Sequence, residues 1–208
     1  LMSGTSCDGV DAALIETDGE NDLKFHGGLT VHYNDDLRGQ LLEAGQYDVP
    51  LSELLKIEKE FTALHVEAIE KICAEHPKIA KKIDVIGFHG HTVRHIPGNG
   101  LTMQIGNPWQ ISTAVGVPVV SDFRRADMAS GGQGAPLAAV FHRALFSDEP
   151  RPTLVLNLGG VANVTWLGDD DEIIAGDTGP GCGLIDEWVQ TMADLPHEIE
   201  GGLAAEGV

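Results

Sequence analysis

One carboxylate, Asp177, follows a predicted strand and adjoins a glycine turn, and this stretch is the first candidate for a chemical role. The apolar residues before it predict a buried strand over 172–176, and Thr178-Gly179-Pro180-Gly181 then predicts a turn that Asp177 begins. Apolar residues at helical spacing predict a helix over 184–192. A glycine turn before a helix offers main-chain N–H groups to an anion, beside an acid. The simpler alternative is an aspartate that only caps the turn.

A second glycine turn lies near the start of the chain. Gly4-Thr5-Ser6-Cys7-Asp8-Gly9 separates a strand ending at residues 1–3 from predicted strands over 10–16 and 23–33. Two hydroxyls and several N–H groups of such a turn can converge on one oxyanion, as in a phosphate-binding hairpin. The turn lacks the GxxxxGK[ST] pattern of a P-loop. An ordinary hairpin with a polar tip is the alternative.

Polar residues also follow two predicted strands in the middle of the chain. The strand over 83–88 leads into His89-Gly90-His91-Thr92-Val93-Arg94-His95, whose spacing matches no firm zinc pattern, so we expect no metal there. A substrate shelf at the carboxyl end of a strand explains it better. The strand over 118–121 leads into Asp122, Arg124 and Asp127 beside the glycine loop 131–134. Arginine suits bidentate recognition of carboxylate or phosphate, which favours a site role.

The remaining elements are predicted from periodicity. Helices are expected over 35–45, 52–76, 107–115 and 137–146, and strands over 101–105, 153–158 and 161–167. The long helix has a mostly apolar face that includes Glu58, Phe61, Thr62 and His65, and this face predicts packing on a sheet. We interpret His65 as structural rather than as a ligand.

Composition limits the classes of partner. The 208 residues are 42% hydrophobic, enough for a sizeable core, and carry a net charge of −19, which disfavours nucleic acid and anionic membranes. Three widely spaced cysteines indicate neither a disulfide framework nor a zinc ribbon, so we expect a cytoplasmic protein. No apolar run has the length of a membrane span. The residues at each end predict a chain trimmed at its start and truncated at its end.

Two stretches share an order of elements. Residues 1–33 and 153–192 each combine three predicted strands, a glycine turn and a following helix. The repeat is weak, but it predicts two related α/β lobes facing each other. Their glycine turns, Gly159-Gly160 being the second, would hold a polyphosphate in a phosphoryl-transfer enzyme that uses Mg²⁺.

Seven blocks of residues resemble the anhydro-N-acetylmuramic acid kinases, in family order and over the whole chain. The blocks are residues 1–11, Gly87 to His95, Gln104-Ile105-Gly106, Asp122 to Asp127, Gly131 to Leu137, Asn157 to Asn163, and Asp177-Thr178-Gly179-Pro180-Gly181. The resemblance implies the sugar kinase, actin and heat-shock ATPase superfold, with ATP and substrate in a cleft between two ribonuclease-H-like lobes of βββαβα order. The first lobe would be 1–122, and 123–208 would be an incomplete second lobe.

The resemblance also implies an activity and its residues. Such an enzyme uses ATP, Mg²⁺ and water to open 1,6-anhydro-N-acetylmuramic acid and phosphorylate O6, giving N-acetylmuramic acid 6-phosphate in peptidoglycan recycling. Asp177 would be the general base, and a homodimer is suggested. ATP phosphates would be held by Gly4, Thr5, Ser6, Cys7, Asp8, Gly9, Val10, Asp11, Gly159 and Gly160. The sugar would be held by Thr92, Arg94, Gln104, Asp122 and Arg124.

Two other functions remain open at this point. One is a phosphohydrolase of the same superfold, in which water attacks phosphorus directly. The other is a non-catalytic binder of sugar or nucleotide. Dependence of ADP release on the sugar separates the kinase from the hydrolase, and saturable binding without turnover would identify the binder.

Overall fold

The structure, a computed structural model, describes residues 1–4, 6–20, 22–170, 172–193 and 201–206. The chain forms two compact units, Leu1–Ala135 and Pro136–Val208. Both units mix helices and strands, which confirms the predicted α/β class. The lobe boundary predicted between residues 122 and 123 remains a prediction.

Unit 1 holds five helices and six strands among its described residues. In chain order they are β1 (Gly9–Thr17), β2 (Leu23–His32), α1 (Asp35–Gln46), α2 (Leu51–Glu75), α3 (Pro77–Ala80), β3 (Ile86–Gly87), β4 (His91–Ile96), β5 (Leu101–Ile105), α4 (Pro108–Val115), β6 (Val119–Val120) and α5 (Phe123–Ala129). The strand predicted over 83–88 is shorter than expected, because only Ile86 and Gly87 pair in register with β6.

Residues 1–3 connect two of the strand pairs of unit 1. Met2 exchanges two main-chain hydrogen bonds with Asp11 of β1, at 3.0 and 2.8 Å. On the other side, the Leu1 nitrogen donates to Gly87 O of β3 at 2.8 Å, and His89 N–H donates to Leu1 O at 3.2 Å. The strands therefore follow one another in the order β2, β1, residues 1–3, β3, β6, with β1–β2 antiparallel and β3–β6 parallel.

Helix α2 provides one wall of the core of unit 1. Its apolar residues recur at helical spacing, so one face is buried while Glu and Lys remain on the other. Phe61 is fully buried on this face, and burial of a side chain of this size contributes about 1.5–3 kcal/mol. His65 lies with its ring centroid 4.2 Å from that of Phe61 and 5.0 Å from that of Phe88, and its Nδ1 lies 2.9 Å from the Phe61 carbonyl oxygen. This packing agrees with a structural role for His65.

Unit 2 is built around a three-stranded antiparallel sheet in the order β7-β8-β9. Its elements are α6 (Ala138–Leu145), β7 (Thr153–Leu158), β8 (Val161–Leu167), β9 (Ile173–Pro180), α7 (Gly183–Ala193) and α8 (Gly202–Glu206). A turn that contains Asp169 and Asp170 lies between β8 and β9, and Asp171 lies outside the described residues.

The end of β9 corrects one prediction. Asp177 does not begin a turn: it lies inside the strand, opposite Asn163, and the pairing continues to Val161 and Pro180. Thr178 is the extra residue of a bulge at this point, and its Oγ1 donates to Ala162 O at 3.1 Å. Cross-strand pairing with β8 therefore outweighs the turn propensity of glycine and proline here. As a result, the position of Asp177 is fixed by a strand of the sheet and not by a loop.

The two faces of the β7-β8-β9 sheet differ. On one face Thr165 is buried, and its Oγ1 lies 2.9 Å from Nδ1 of His142 in α6. On the other face Leu154, Leu156 and Ile174 are each more than half exposed. Cross-strand partners share a face, so Asp177 lies on the same side as Asn163, Thr165 and α6.

None of the helices in the described residues combines the length and the apolar composition needed to cross a membrane.

Candidate functional site

The described residues of the segment from Gly4 to Gly9, called the N-terminal loop, include several that are held in constrained positions. Cys7 has a left-handed φ of 52°, and its N–H donates to Gly4 O at 3.1 Å. Ser6 Oγ donates to the Asp8 carboxylate at 2.9 Å. A Cβ at Gly9 would lie 2.6 Å from Val31 O, so only glycine lets β1 leave the loop this close to β2. A non-glycine residue at positive φ is a strain that often accompanies a functional loop.

Four buried polar side chains, one of them from the loop itself, form a connected series of contacts beneath this loop. The Tyr33 hydroxyl donates to Ser3 Oγ at 2.7 Å, and Ser3 Oγ lies 3.0 Å from Nδ1 of His91. On the far side of the ring, Nε2 of His91 lies 3.7 Å from Cys7 Sγ. Burial lowers the pKa of His91 to about 4 and raises the pKa of Cys7 to about 11, so both groups are neutral at pH 7. The chain of contacts ties the loop to the first residue of β4.

Of the residues predicted to hold phosphate, Thr5 lies outside the described residues. Val10 is fully buried in the core of unit 1, so that only its main chain is available. The Asp11 carboxylate accepts a hydrogen bond from Thr30 Oγ1 on the neighbouring strand. Within the loop, the Ser6 hydroxyl and Cys7 N–H donate to Asp8 and Gly4 in this structure, so phosphate binding by this loop remains a prediction.

A cavity of about 260 Å³ lies at the carboxyl ends of β3 and β6. Because these strands are parallel, the residues that follow them, His89 and Asp122, come to the same edge, and both line the cavity. Gln104 of β5 and Glu58 of α2 line it as well. Asp122 has a left-handed φ of 62°, which is uncommon for a residue other than glycine.

Arg124 lies beside this cavity and is held in place by two contacts. Its Nε donates to Nε2 of His89 and its Nη1 donates to Gly134 O, both at 2.9 Å. His89 Nδ1 lies 2.9 Å from Gly90 O, and a carbonyl only accepts, so Nδ1 carries the proton and Nε2 is the acceptor. Burial, with a smaller effect of Arg124, lowers the pKa of His89 and favours this neutral form. In the described part of the chain, Nη2 of Arg124 has no hydrogen-bond partner.

Thr92 and Gln104 face each other across the β4–β5 ladder. Gln104 Nε2 donates to Thr92 Oγ1 at 3.3 Å and to Thr102 Oγ1 at 2.9 Å. Gln104 Oε1 is buried and has no partner among the described residues. An unpartnered buried acceptor is unfavourable, so this oxygen is a place where a ligand donor would add a hydrogen bond.

Arg94, predicted on the sugar side, is engaged elsewhere in this structure. Its Nη1 donates to Ala44 O at 2.7 Å and to Gly45 O at 3.0 Å, and its Nη2 donates to Tyr47 O at 2.6 Å. These carbonyls belong to the C-terminal end of α1, where cationic side chains stabilise a helix. Its predicted contact with sugar remains a prediction.

The three histidines of residues 89–95 point to different partners. His89 contacts Arg124, His91 contacts Ser3 and Cys7, and Nδ1 of His95 lies 3.1 Å from Thr102 Oγ1. Within the residues that the structure describes, no group of three or more His, Cys, Asp or Glu side chains is placed to hold a metal ion.

In unit 2, the turn at Gly159-Gly160 lies against the start of α7. Gly159 O accepts from Cys182 N–H at 2.8 Å, and Gly160 O accepts from Gly181 N–H at 3.0 Å. A Cβ at Gly181 would lie 2.2 Å from Gly159 O, which explains why glycine is needed at this contact. The N–H groups of residues 181 and 182 are thus used within the protein. Asp177 is exposed near this turn, on β9.

The chain has clear relatives. A sequence profile described as anhydro-N-acetylmuramic acid kinase matches residues 1–208. The chain belongs to the anhydro-N-acetylmuramic acid kinase family. Three curated relatives of that name are 45% identical over 207 residues (Paramagnetospirillum magneticum), 46% over 214 (Rhizorhabdus wittichii) and 46% over 211 (Acidiphilium cryptum). Each alignment covers 100% of this chain but only 58%, 59% and 57% of the respective relative.

The structure adds two residues that sequence reasoning did not assign to a site, because Glu58 and Arg125 line the cavity of unit 1. His89 lines it too, and it belongs to the segment predicted as a substrate shelf. A carboxylate on a mostly apolar helix face was the available signal for Glu58, but periodicity alone does not show which side chain the face meets.

Proposed function

We propose that this chain carries out, as part of an anhydro-N-acetylmuramic acid kinase, the ATP-dependent opening and O6 phosphorylation of 1,6-anhydro-N-acetylmuramic acid. The observation that carries the proposal is the family match over the entire chain. The product would be N-acetylmuramic acid 6-phosphate, and the setting would be cytoplasmic recycling of peptidoglycan sugar. A homodimer is part of the same proposal.

We propose further that unit 1 contains the first ribonuclease-H-like lobe. Three antiparallel strands followed by two parallel ones are expected of that fold, and the hydrogen-bonded order β2, β1, residues 1–3, β3, β6 supports it. The second lobe would cover 123–208, and its sheet would consist of β7, β8 and β9, followed by α7. The antiparallel order of these strands supports this assignment.

ATP phosphates would be bound by the loop and strand 4–11 and by the turn at Gly159-Gly160. The fit rests on the main chain and on space, because glycines at both turns allow close approach of the main chain to an anion. The Ser6 hydroxyl, which donates to Asp8 in this structure, would have to turn toward the phosphate. Mg²⁺ would supply positive charge to offset the charge that develops on the transferred phosphoryl group. The buried Tyr33, Ser3 and His91 hold the loop in shape.

Asp177 would be the general base. An ionised carboxylate would accept a proton from the water that attacks the anomeric carbon while the 1,6-anhydro bond from that carbon to O6 breaks. The released O6 would then attack the γ-phosphorus of ATP, and ADP would leave. The exposed position of Asp177 on β9 leaves the carboxylate accessible to water and substrate. Pairing with β8 fixes its main chain, which a base needs in order to remain within hydrogen-bond reach.

Coupled ADP release with 1,6-anhydro-N-acetylmuramic acid, ATP and Mg²⁺ tests the function in the protein at its full natural length. We expect turnover that requires the sugar and falls about 10²- to 10⁴-fold in Asp177→Asn, which keeps the size of the side chain and removes the base. Asp170→Asn, at the exposed tip between β8 and β9, is the matched control and should keep wild-type turnover. ADP release without sugar would indicate a phosphohydrolase instead. Saturable binding with no turnover would indicate a binding protein.

A further inference from the structure

Glu58 is a charged residue on the buried side of α2. Its neighbours along that face are Ile57, Phe61 and Thr62, which are all buried. A carboxylate kept at such a position is unfavourable unless it is hydrogen-bonded, because removing its hydration costs free energy. Glu58 lines the cavity at the carboxyl ends of β3 and β6, so the cavity is where its side chain meets the surface of the protein.

The contacts of Glu58 leave much of its hydrogen-bonding capacity unused. Oε1 accepts a single hydrogen bond, from Gly106 N–H at 2.9 Å. In the described residues it has no ion-pair partner. The nearby cation Arg125 is already paired, with its Nη1 3.3 Å from Asp122 Oδ1. An ionised carboxylate has about four lone-pair positions, so Oε2 and part of Oε1 remain available to donors from a ligand.

The other groups of the cavity require the same kind of ligand. Gln104 Oε1 is a buried acceptor without a partner among the described residues, and the Asp122 carboxylate is about half exposed. Near Glu58 and Gln104 the unused groups are therefore acceptors, which favours a ligand that brings hydroxyl or N–H donors to this part of the cavity. The volume of about 260 Å³ lies just below the usual range for ligand pockets, which suits a single sugar ring.

We propose that Glu58 is a substrate-recognition residue whose carboxylate accepts hydrogen bonds from hydroxyl or amide N–H groups of the sugar in this cavity. This inference rests on the proposed kinase function, and it adds to the predicted sugar-side residues one that comes from α2. The hydrogen bond from Gly106 N–H orients the carboxylate before the ligand binds, so less side-chain conformational entropy is lost on binding.

The competing explanation is that Glu58 only fastens the segment after β5. Thr62, one turn further along α2, does so: its Oγ1 accepts from Asn107 N–H at 3.1 Å. Gly106 has a φ of 130°, and a Cβ there would lie 2.3 Å from Phe88 Cζ, so this segment needs close packing against the core. If Glu58 were purely structural, replacing it would therefore change the stability of the protein and the KM values for both substrates together.

Glu58→Gln separates the two explanations. The amide oxygen of glutamine still accepts from Gly106 N–H, while the negative charge is lost. In the protein at its full natural length we expect the KM for the sugar to rise about 10- to 100-fold, the range for a hydrogen bond to a charged group, with the KM for ATP and the thermal midpoint unchanged. Direct titration of the sugar by calorimetry should show the same loss of affinity.

Two controls accompany this variant. Glu60→Gln removes an exposed carboxylate from the same helix and should leave both KM values unchanged. Thr62→Val breaks the neighbouring contact to the same segment and should lower stability, with a change in sugar KM below 3-fold. An unchanged sugar KM in Glu58→Gln, beside normal sugar-dependent turnover of the wild type, would overturn the inference alone. No sugar-dependent turnover and no sugar binding in the wild type would overturn the proposed function as well.

Discussion

Strands β1 and β7 both carry apolar residues at alternate positions next to a glycine turn, yet only one of them is buried. In β1, Val10, Ala12 and Leu14 are 0%, 3% and 7% exposed. In β7, Leu154, Leu156 and Leu158 are 56%, 55% and 60% exposed. The difference arises from what covers each strand, because α2 packs on β1 whereas the side chains on this face of β7 stay more than half exposed among the described residues. Alternating apolar residues predict that one face of a strand is apolar, but they do not show whether another element packs on that face.

Matched truncations in the two units should reveal this difference most strongly. Phe61→Ala removes a fully buried ring from unit 1, and we expect a loss of about 3–5 kcal/mol in the free energy of unfolding. Leu156→Ala in unit 2 removes a side chain that is already more than half exposed, and we expect a change within about 0.5 kcal/mol. Urea unfolding followed by circular dichroism measures both. Equal losses would show that the exposed face of β7 is covered in solution.

Acid pH should destabilise unit 1 through its buried histidines. Burial lowers the pKa of His65 to about 4 in the folded state, below the value near 6.5 in the unfolded chain. Between these values the unfolded chain binds more protons, so stability is fully present above about pH 6.5 and falls as the pH drops toward about 4. The expected slope is up to about 1.4 kcal/mol per pH unit for each such histidine.

The variant His65→Leu tests the assignment of this slope. It removes one titrating group from the core of unit 1. The slope of the unfolding free energy against pH between 6.5 and 4 should therefore decrease by up to about 1.4 kcal/mol per pH unit, the value for one bound proton. His91, whose pKa is also lowered to about 4 by burial, should account for a similar part of what remains. An unchanged slope in urea titrations of His65→Leu would contradict the burial of this ring.

A smaller loss than that of Phe61→Ala is expected at Arg94. Arg94→Lys keeps the charge but loses the planar donors that reach Ala44 O, Gly45 O and Tyr47 O, and we expect a loss of about 1–2 kcal/mol of stability. If Arg94 only fastens the end of α1 and pairs with Asp48, the KM for the sugar should stay within 3-fold of the wild type. A larger rise in KM with unchanged stability would support the predicted role in binding the sugar.

The positions of most helices and strands could be predicted, because they depend on local patterns. The spacing of apolar residues gave α2 to within one residue at each end, and β7 and β8 with their observed bounds. Where a partner strand decided the outcome, prediction failed: β3 is shorter than expected and β9 is longer. Register and pairing are properties of two strands, and one strand's sequence does not contain them.

The candidate site divides in the same way. The sequence by itself determined the family, the two glycine turns and the polar residues after β3 and β6, since these are motifs of neighbouring residues. Only the tertiary structure decided that Glu58 lines the same cavity as Asp122 and Gln104, and that Arg94 caps a helix. These relations join residues many positions apart, and they arise from packing of α2 and α1 against the strands. A side chain's partners, unlike its type and its local structure, are set by how the elements pack.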